Sequence, residues 1–509
     1  MNLIKDAWIP IRRRNGTIDC IAPCQITEET IVELAANRPD FNGALIQFLI
    51  GLLQTTCAPE NPRQWRQWLQ QPPEAKELQA KFEPIADAFN LNGDGPRFMQ
   101  DLTLKTEDES PVYELLIDMP TEDTKTDHFI KRGEIKQLCL TCAATALFTL
   151  QTNSPFGGRG YRTGLRGGGP MTTLVLADTL WKTCWLNILE QQTFLSLANS
   201  NKDKDSDRFP WLASTRTSEG GTMTTPEDVH PDQIFWSMPR RIRLLIEEKE
   251  AVCDLCGMAD EYIVCRFITK NLGVNYKGTW KHPLSPYFID KDGTSSAIHP
   301  QPGGIGYRHW LGLVQLSQDD RGKRQPAHVI EHFIRERRND LRLWAFGYDM
   351  DGMKARCWYE GTMPLISASD TVCKDYEYHI SAMVSSAQQV CRETRSQIKK
   401  ALFKRPGDVK GDFSFINSRF WQETKPDFFT CLYKLRDGLE NNSDVVPILE
   451  KWYKRLKKVA ETIFDDTSQT GAFDAADPKR IAIAWRDLQK GIYKVREQLG
   501  LPAKEQTKK

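Results

Sequence analysis

Long apolar runs are missing from this sequence. The longest, residues 43–53 and 143–150, fall short of the roughly 18–20 residues that cross a bilayer, and mean hydropathy is -0.50; no membrane-spanning helix is expected. The opening Met1-Asn2-Leu3-Ile4-Lys5-Asp6-Ala7-Trp8 puts a lysine and an aspartate where a secretory apolar core would lie, so a cytoplasmic protein is expected. An excess of charge of one sign is missing too. Lys+Arg number 68 against 67 Asp+Glu, a net charge of +1, which excludes a globally basic nucleic-acid coat and leaves a polyanion partner to local basic patches. Also absent is the dense, even cysteine framework of a secreted disulfide protein: the 13 cysteines are odd in number and scattered from Cys20 to Cys431. Reduced thiols and a metal are the better reading. What is present is a globular composition, 40% hydrophobic and 27% charged over 509 residues, enough for two to four units at about 100–200 residues each.

Along the chain, β-prone runs at residues 3–11 and 17–21 flank Arg14-Asn15-Gly16, and Asn-Gly favours the positive φ of a tight turn, so a hairpin is expected. Ile31, Leu34, Leu45, Phe48, Leu49, Leu52 and Leu53 recur at helical spacing, broken near Pro39, which predicts two helices over residues 30–57. Residues 92–137 and 200–228 are polar without periodicity and read as long loops. Short β-prone runs at 242–246, 262–267 and 342–346 predict mixed α+β structure. Beyond about residue 370 the texture becomes helical. Val445, Ile448, Leu449, Trp452, Leu456, Val459 and Ile463 form one apolar stripe; Ile481, Trp485, Leu488, Ile492, Val495 and Leu499 form another after the cap Asp477-Pro478. With helical patterns at 380–403 and 426–436, the expectation is an α+β domain over residues 1–370 followed by a four-helix bundle over 371–509.

Four motifs carry chemistry. Cys139-Leu140-Thr141-Cys142 and Cys253-Asp254-Leu255-Cys256 are two CxxC knuckles that together supply four thiolates for a closed, structural zinc site; their wide separation leaves coincidence as the alternative. Residues 155–170 hold seven glycines, Arg159, Arg162, Arg166 and Tyr161. No Gly-Lys-Ser/Thr follows, so this is not a Walker loop, and backbone free of side chains beside arginines and an aromatic suits nucleic acid; a solvated loop is the plain alternative. His328-Val329-Ile330-Glu331-His332 matches HxxEH, which would make a zinc hydrolase of His328, Glu331 and His332, or simply a solvated helix face. Lys451, Lys454, Arg455, Lys457 and Lys458 lie off the apolar stripe and form a basic face, suited to phosphate or to solvent alone.

The sequence resembles CasA, the large subunit of type I-E CRISPR Cascade. The resemblance runs through Asp6-Ala7-Trp8-Ile9-Pro10-Ile11, both CxxC knuckles, Phe156 to Pro170 with Thr172-Thr173, Phe235-Trp236 to Pro239, and Trp280-Lys281-His282-Pro283-Leu284-Ser285-Pro286, and with the helical C-terminal region spans essentially the whole chain. It implies a non-catalytic subunit, partnered by other Cascade subunits, guide crRNA, double-stranded target DNA and the CRISPR helicase-nuclease. A structural zinc ion, recognition of the protospacer-adjacent motif through the minor groove and the start of strand separation are implied with it. The implied DNA-binding residues are a glycine loop at Gly157, Gly158 and Gly160, with Arg159 where the family can have glycine; a lysine finger at Lys270 or Asn271; and a wedge at Met353 or Lys354. Phe129 matches the loop anchoring the subunit at the guide-RNA end. Lys451, Lys454 and Lys458 would hold phosphates.

Overall fold

A computed structural model describes residues 1–105, 109–119, 133–158, 160–198, 200–336, 341–352, 354–366, 368–408, 411, 413–469 and 477–502. The chain divides into two compact units, one of Met1–Gln301, Asp320–Glu336 and Arg342–Glu360, the other of Pro302–Asp319, Arg337–Leu341 and Gly361–Lys509.

The first unit opens on an antiparallel sheet with Ile9–Arg13 between Ile18–Ile21 and Ile31–Leu34. Gly16 adopts φ +89° in the expected turn and Ile9 stands opposite Ile21. The first of the two expected helices is not formed. Residues 31–34 are a strand, because β-branched Ile31 and Val32 favour extension and the edge of Ile9–Arg13 is free to pair with them. Pro39, with φ fixed and no N–H to lose, then opens the helix Pro39–Cys57. That helix is apolar on nearly every side and is accordingly buried. Its Phe48 ring meets Trp8, Phe89, Phe98, Phe148 and Trp236 edge-on, with centroids 5.3 to 6.0 Å apart. Each such side chain contributes about 1.5–3 kcal/mol by burial.

Both stretches expected to be loops contribute to this core. Phe98 and Met99 are fully buried, Glu109–Pro111 pairs with the strand Ala259–Lys270, and Val112 and Leu115 are buried just after it. Phe209 and Trp211 are buried as well, Trp211 Nε1 donating to Ala88 O at 2.6 Å. A few apolar anchors at irregular spacing fill the space beside Phe89, and irregular spacing is invisible to a search for periodicity.

Two long hairpins replace the short strands expected between residues 235 and 368. Arg241–Val252 pairs with Ala259–Lys270, from Arg241 opposite Lys270 to Val252 opposite Ala259, and Leu138–Cys139 adds to the outer edge of the second strand. Lys354–Leu365 and Thr172–Leu176 flank Leu341–Asp351, with Arg342 opposite Leu176 and Phe346 opposite Thr172. A further sheet sets Tyr287–Asp290 between Ser295–Ala297 and Gly322–Gln325.

The second unit is dominated by the helices Cys373–Leu402, Ser414–Glu440, Val446–Gln469 and Pro478–Gln498. Their apolar stripes close a core of Met383, Ala387, Phe428, Leu432, Trp452, Leu456, Leu488 and Ile492, with Trp452 Nε1 donating to Met383 O at 3.1 Å. Asp477 caps the last helix, accepting from Arg480 N at 3.1 Å. Pro426, expected near a helix start, lies inside Ser414–Glu440 instead. The ring removes the donor that would meet the Gln422 carbonyl four residues earlier, and the adjacent Glu423 carbonyl takes a hydrogen bond from Arg455 Nη2 at 2.7 Å.

Candidate nucleic-acid interface

Two ties hold the site, one at each end of the helix Leu140–Asn153. At its start, Cys139 occupies the cap position and its Sγ accepts from Cys142 N at 3.4 Å. Cys253 and Cys256 sit in the turn joining the two strands of the 241–270 hairpin, where Gly257 at φ +73° donates its N–H to Cys253 O at 2.9 Å. All four sulfurs lie within 4.8 Å of one another, Cys139 and Cys256 at 3.6 Å. A tetrahedral zinc with Zn–S of about 2.3 Å needs sulfurs about 3.8 Å apart, so the donors fit that ion. Hydrogen bonds from Cys139 and Cys142 lower the thiols of Cys253 and Cys256, the latter to about 7. Around them, Asp254 Oδ2 accepts from Lys136 N and Gln137 N at 2.7 and 3.0 Å, and Asp260 Oδ2 from Leu140 N at 3.1 Å. The carboxylates thus bind the two knuckles to each other.

At the other end of the helix, Gln151 Oε1 accepts from Arg240 N at 2.9 Å and its Nε2 donates to Arg240 O at 2.9 Å. Arg240 immediately precedes the hairpin, so helix and hairpin are fixed together again. The glycine segment leaves the helix here. Tyr161 N donates to Gly158 O at 2.8 Å, and Gly158 and Gly160 have φ +62° and +87°. Gly160 O accepts from Leu272 N at 2.9 Å. That bond brings the glycine turn to the end of the strand bearing Lys270, two segments over a hundred residues apart in sequence. Lys270 is exposed, and among the described residues no carboxylate pairs with it; Asn271 is half-buried. A Cβ on Gly160 would stand 2.8 Å from Leu272 Cδ2, and one on Gly157 would stand 2.5 Å from Tyr161 Cβ.

Sequence reasoning missed Arg240. Its guanidinium lies over the Tyr161 ring, 5.2 Å from the centroid, and burial pulls it down to about 10. No local pattern signals a residue that reaches back across about eighty positions. Phe156, 58% exposed at the head of the turn, had only its aromatic character to mark it. Of the arginines expected to meet a polyanion, Arg162 donates to Ser218 Oγ at 2.9 Å. Arg166 is buried, donating to Gln47 Oε1 at 2.6 Å, Ser285 Oγ at 2.9 Å and Thr172 Oγ1 at 3.1 Å; its place is structural, because its fork is spent on a neutral polar cage in the core. Arg159, Met353 and Phe129 lie outside the described residues. Lys354 is exposed at the tip of the 341–365 hairpin, beside Gly352 at φ +59°. Lys451, Lys454 and Lys458 are exposed on one helix, whereas Arg455 pairs with Asp427 at 2.8 Å and Lys457 with Glu461 at 3.6 Å.

The HxxEH residues do not converge. His332 is buried against Trp65, its Nε2 3.0 Å from Glu190 Oε1, while Glu331 accepts from Gln325 at 3.2 Å and lies 3.6 Å from His328 Nδ1. Among the described residues, the four cysteines are the group placed to hold a metal.

A family model for CRISPR-associated protein Cse1 matches residues 2–463. The chain belongs to the Cse1 family. Solved structures share the fold of this Cse1 member along its length. Thermobifida fusca Cse1 superposes with a TM-score of 0.74 at 15% identity, covering 98% of each chain. Thermus thermophilus CasA (Cse1) does so at 0.70 and 17% identity, over 97% of this chain and 99% of that one. A chain of a CRISPR RNA-guided surveillance complex is similar at 0.71 and 14% identity, with the same coverage.

Proposed function

We propose that this Cse1 member is the large subunit of a type I-E RNA-guided surveillance complex and reads the protospacer-adjacent motif of duplex DNA through the minor groove. The observation that carries the reading is the bond from Leu272 N to Gly160 O, which seats a glycine-rich turn beside an exposed lysine that pairs with no carboxylate among the described residues. Bare backbone approaches base edges, and a lysine donates to the acceptors that A·T and G·C pairs share there, so several motifs would be tolerated. Asn271 flanks the lysine. Gly157, Gly158 and Arg159 complete the loop, and Met353 or Lys354, the latter exposed at a hairpin tip, would wedge a base step open at a cost of a few kcal/mol. Strand separation then hands the target to the guide crRNA, whose pairing supplies most of the specificity. The subunit performs no bond chemistry. Phe129 would anchor it at the guide-RNA end among the other subunits, and the helical unit would help recruit the helicase-nuclease. The knuckle cysteines would hold zinc as a structural staple, closed by four thiolates against any catalytic ligand.

The test is target binding by the reconstituted complex. Gly160→Ala forces a side chain into φ +87° against Leu272, and Lys270→Ala removes the donor. Each should weaken intact duplex targets at least tenfold and leave targets pre-melted beside the motif within about twofold of the parent. Equal losses on both kinds of target would overturn the reading.

A further inference from the structure

The second unit carries a basic groove that motif reading does not use. A cavity of about 630 Å³ is lined by Arg308, Arg392, Arg395, Lys399, Asn417 and Trp421, with no carboxylate among its described lining residues. The volume is that of a small-ligand site. Arg392 and Arg395 are exposed, one turn apart on Cys373–Leu402, and among the described residues neither pairs with an acid. Lys399 continues the row, its Nζ 4.7 Å from the centre of the Phe413 ring. Arg308 is held rigidly at the rim by Nη2 bonds to Gly304 O at 2.6 Å and Pro302 O at 3.2 Å.

The helix dipole accounts for Lys399 in the last turn, but its influence fades within that turn and does not reach Arg392 and Arg395. Arg392, Arg395 and Lys399 line one cavity with no carboxylate among its described lining residues; like charges so placed repel one another, and a bound anion relieves that repulsion. The helix Ser414–Glu440 supplies something other than charge to the lining. Trp421 is half-buried and fixed edge-on by Tyr307 at 5.0 Å and Phe420 at 5.6 Å, and it forms part of the lining. Asn417 beside it accepts from Cys391 Sγ through Oδ1 at 3.5 Å, leaving its amide N–H groups for a ligand. Cations facing an indole with an amide at its edge suit a phosphate joined to a base. An acidic peptide would satisfy the arginines and leave the indole without a partner.

We propose that this groove binds a nucleotide unit, phosphate on Arg392, Arg395 and Lys399 and base against Trp421, either free or within a single strand. The test uses the full chain with a five-residue thymidylate strand carrying 5-iodouracil, with dTMP and polyglutamate as competitors. The strand should bind in a salt-dependent way and cross-link to Trp421 on irradiation. Arg392→Glu with Arg395→Glu should weaken binding at least tenfold and abolish that cross-link. Trp421→Ala should also lose about tenfold, and Trp421→Phe should recover most of it. Lys270→Ala, which should weaken duplex targets, should leave the cross-link of the thymidylate strand to Trp421 in place, which separates this site from the motif-reading proposal. Competition by dTMP identifies a free-nucleotide site, and its failure while the strand binds identifies a strand site; both fit the proposal. Should the charge reversals lower the melting temperature, Arg392→Gln with Arg395→Gln gives the reading in their place. Binding that survives these changes, a cross-link only elsewhere, or displacement of the strand by polyglutamate as effectively as by unlabelled strand would overturn it.

Discussion

Arg166 carries a charge into the core where, among the described residues, no carboxylate meets it, and the residues around it bear the consequence. Its guanidinium is lowered to about 10 by burial and is still a cation at neutral pH. His282, fully enclosed nearby with Nδ1 accepting from Leu284 N at 3.2 Å, is held well below 6.5 by burial and by that charge. Folding therefore requires neutral imidazole, while the unfolded chain protonates below pH 6.5. The unfolded state binds the extra proton, so stability contributed by this group is present above pH 6.5 and is lost as pH falls below it. The loss is about 1.4 kcal/mol per pH unit, continuing until the low folded pKa is reached. His282→Asn offers Oδ1 to the same N–H and cannot titrate. Urea melts between pH 7 and 5 should show a shallower acid slope for this variant, by about one proton. A slope equal to the parent's would mean that His282 does not titrate on unfolding.

At the scale of elements, the cysteine cluster and the Gln151–Arg240 pair act at opposite ends of one helix. Leu140–Asn153 and the 241–270 hairpin are joined at both places, so the position of the glycine turn depends on the far tie as well as the near one. Metal bound by four thiolates stabilises only the folded chain. Cys256→Ser should therefore lose zinc on elemental analysis and lower the unfolding midpoint by at least about 5 °C. His332→Ala leaves Glu190 without its partner and should destabilise too, with metal content unchanged. The opposite pattern, zinc lost with His332 and kept without Cys256, would return the hydrolase reading to favour.

On the scale of the whole molecule, a net charge of +1 makes the proposed affinity for DNA a matter of where the cations stand. On Val446–Gln469, Arg455 and Lys457 are neutralised by Asp427 and Glu461. Lys451, Lys454 and Lys458 are left facing solvent. Phosphate contacts carry no sequence information, so replacing all three with alanine should weaken every duplex target alike and flatten the salt dependence by about 0.9 in log–log slope per lysine. Weakening confined to one motif, or an unchanged slope, would remove these residues from the interface. Among the described residues no helix is long and apolar enough to cross a membrane.

By itself the sequence determined whatever is written locally. The Asn15-Gly16 turn, the stripes of the C-terminal helices, the Asp477 cap and the knuckles were legible because turn chemistry, a 3.6-residue period and CxxC spacing are short-range signals. It also carried the family resemblance, which rests on many short motifs in order. Tertiary structure decided the rest. Residues 31–34 became a strand because a neighbouring edge was free to pair, and Phe98 and Trp211 became core because a cavity beside Phe89 needed filling. Pro426 stayed inside a helix because packing on both sides outweighed the lost donor, as propensity alone could not foretell. The site itself belongs to this second class. Gly160 and Lys270 are neighbours through one hydrogen bond formed across more than a hundred residues, and Arg240 reaches Tyr161 across about eighty. Such contacts are set by how helix and hairpin pack, a property of the folded chain that no local stretch of residues contains.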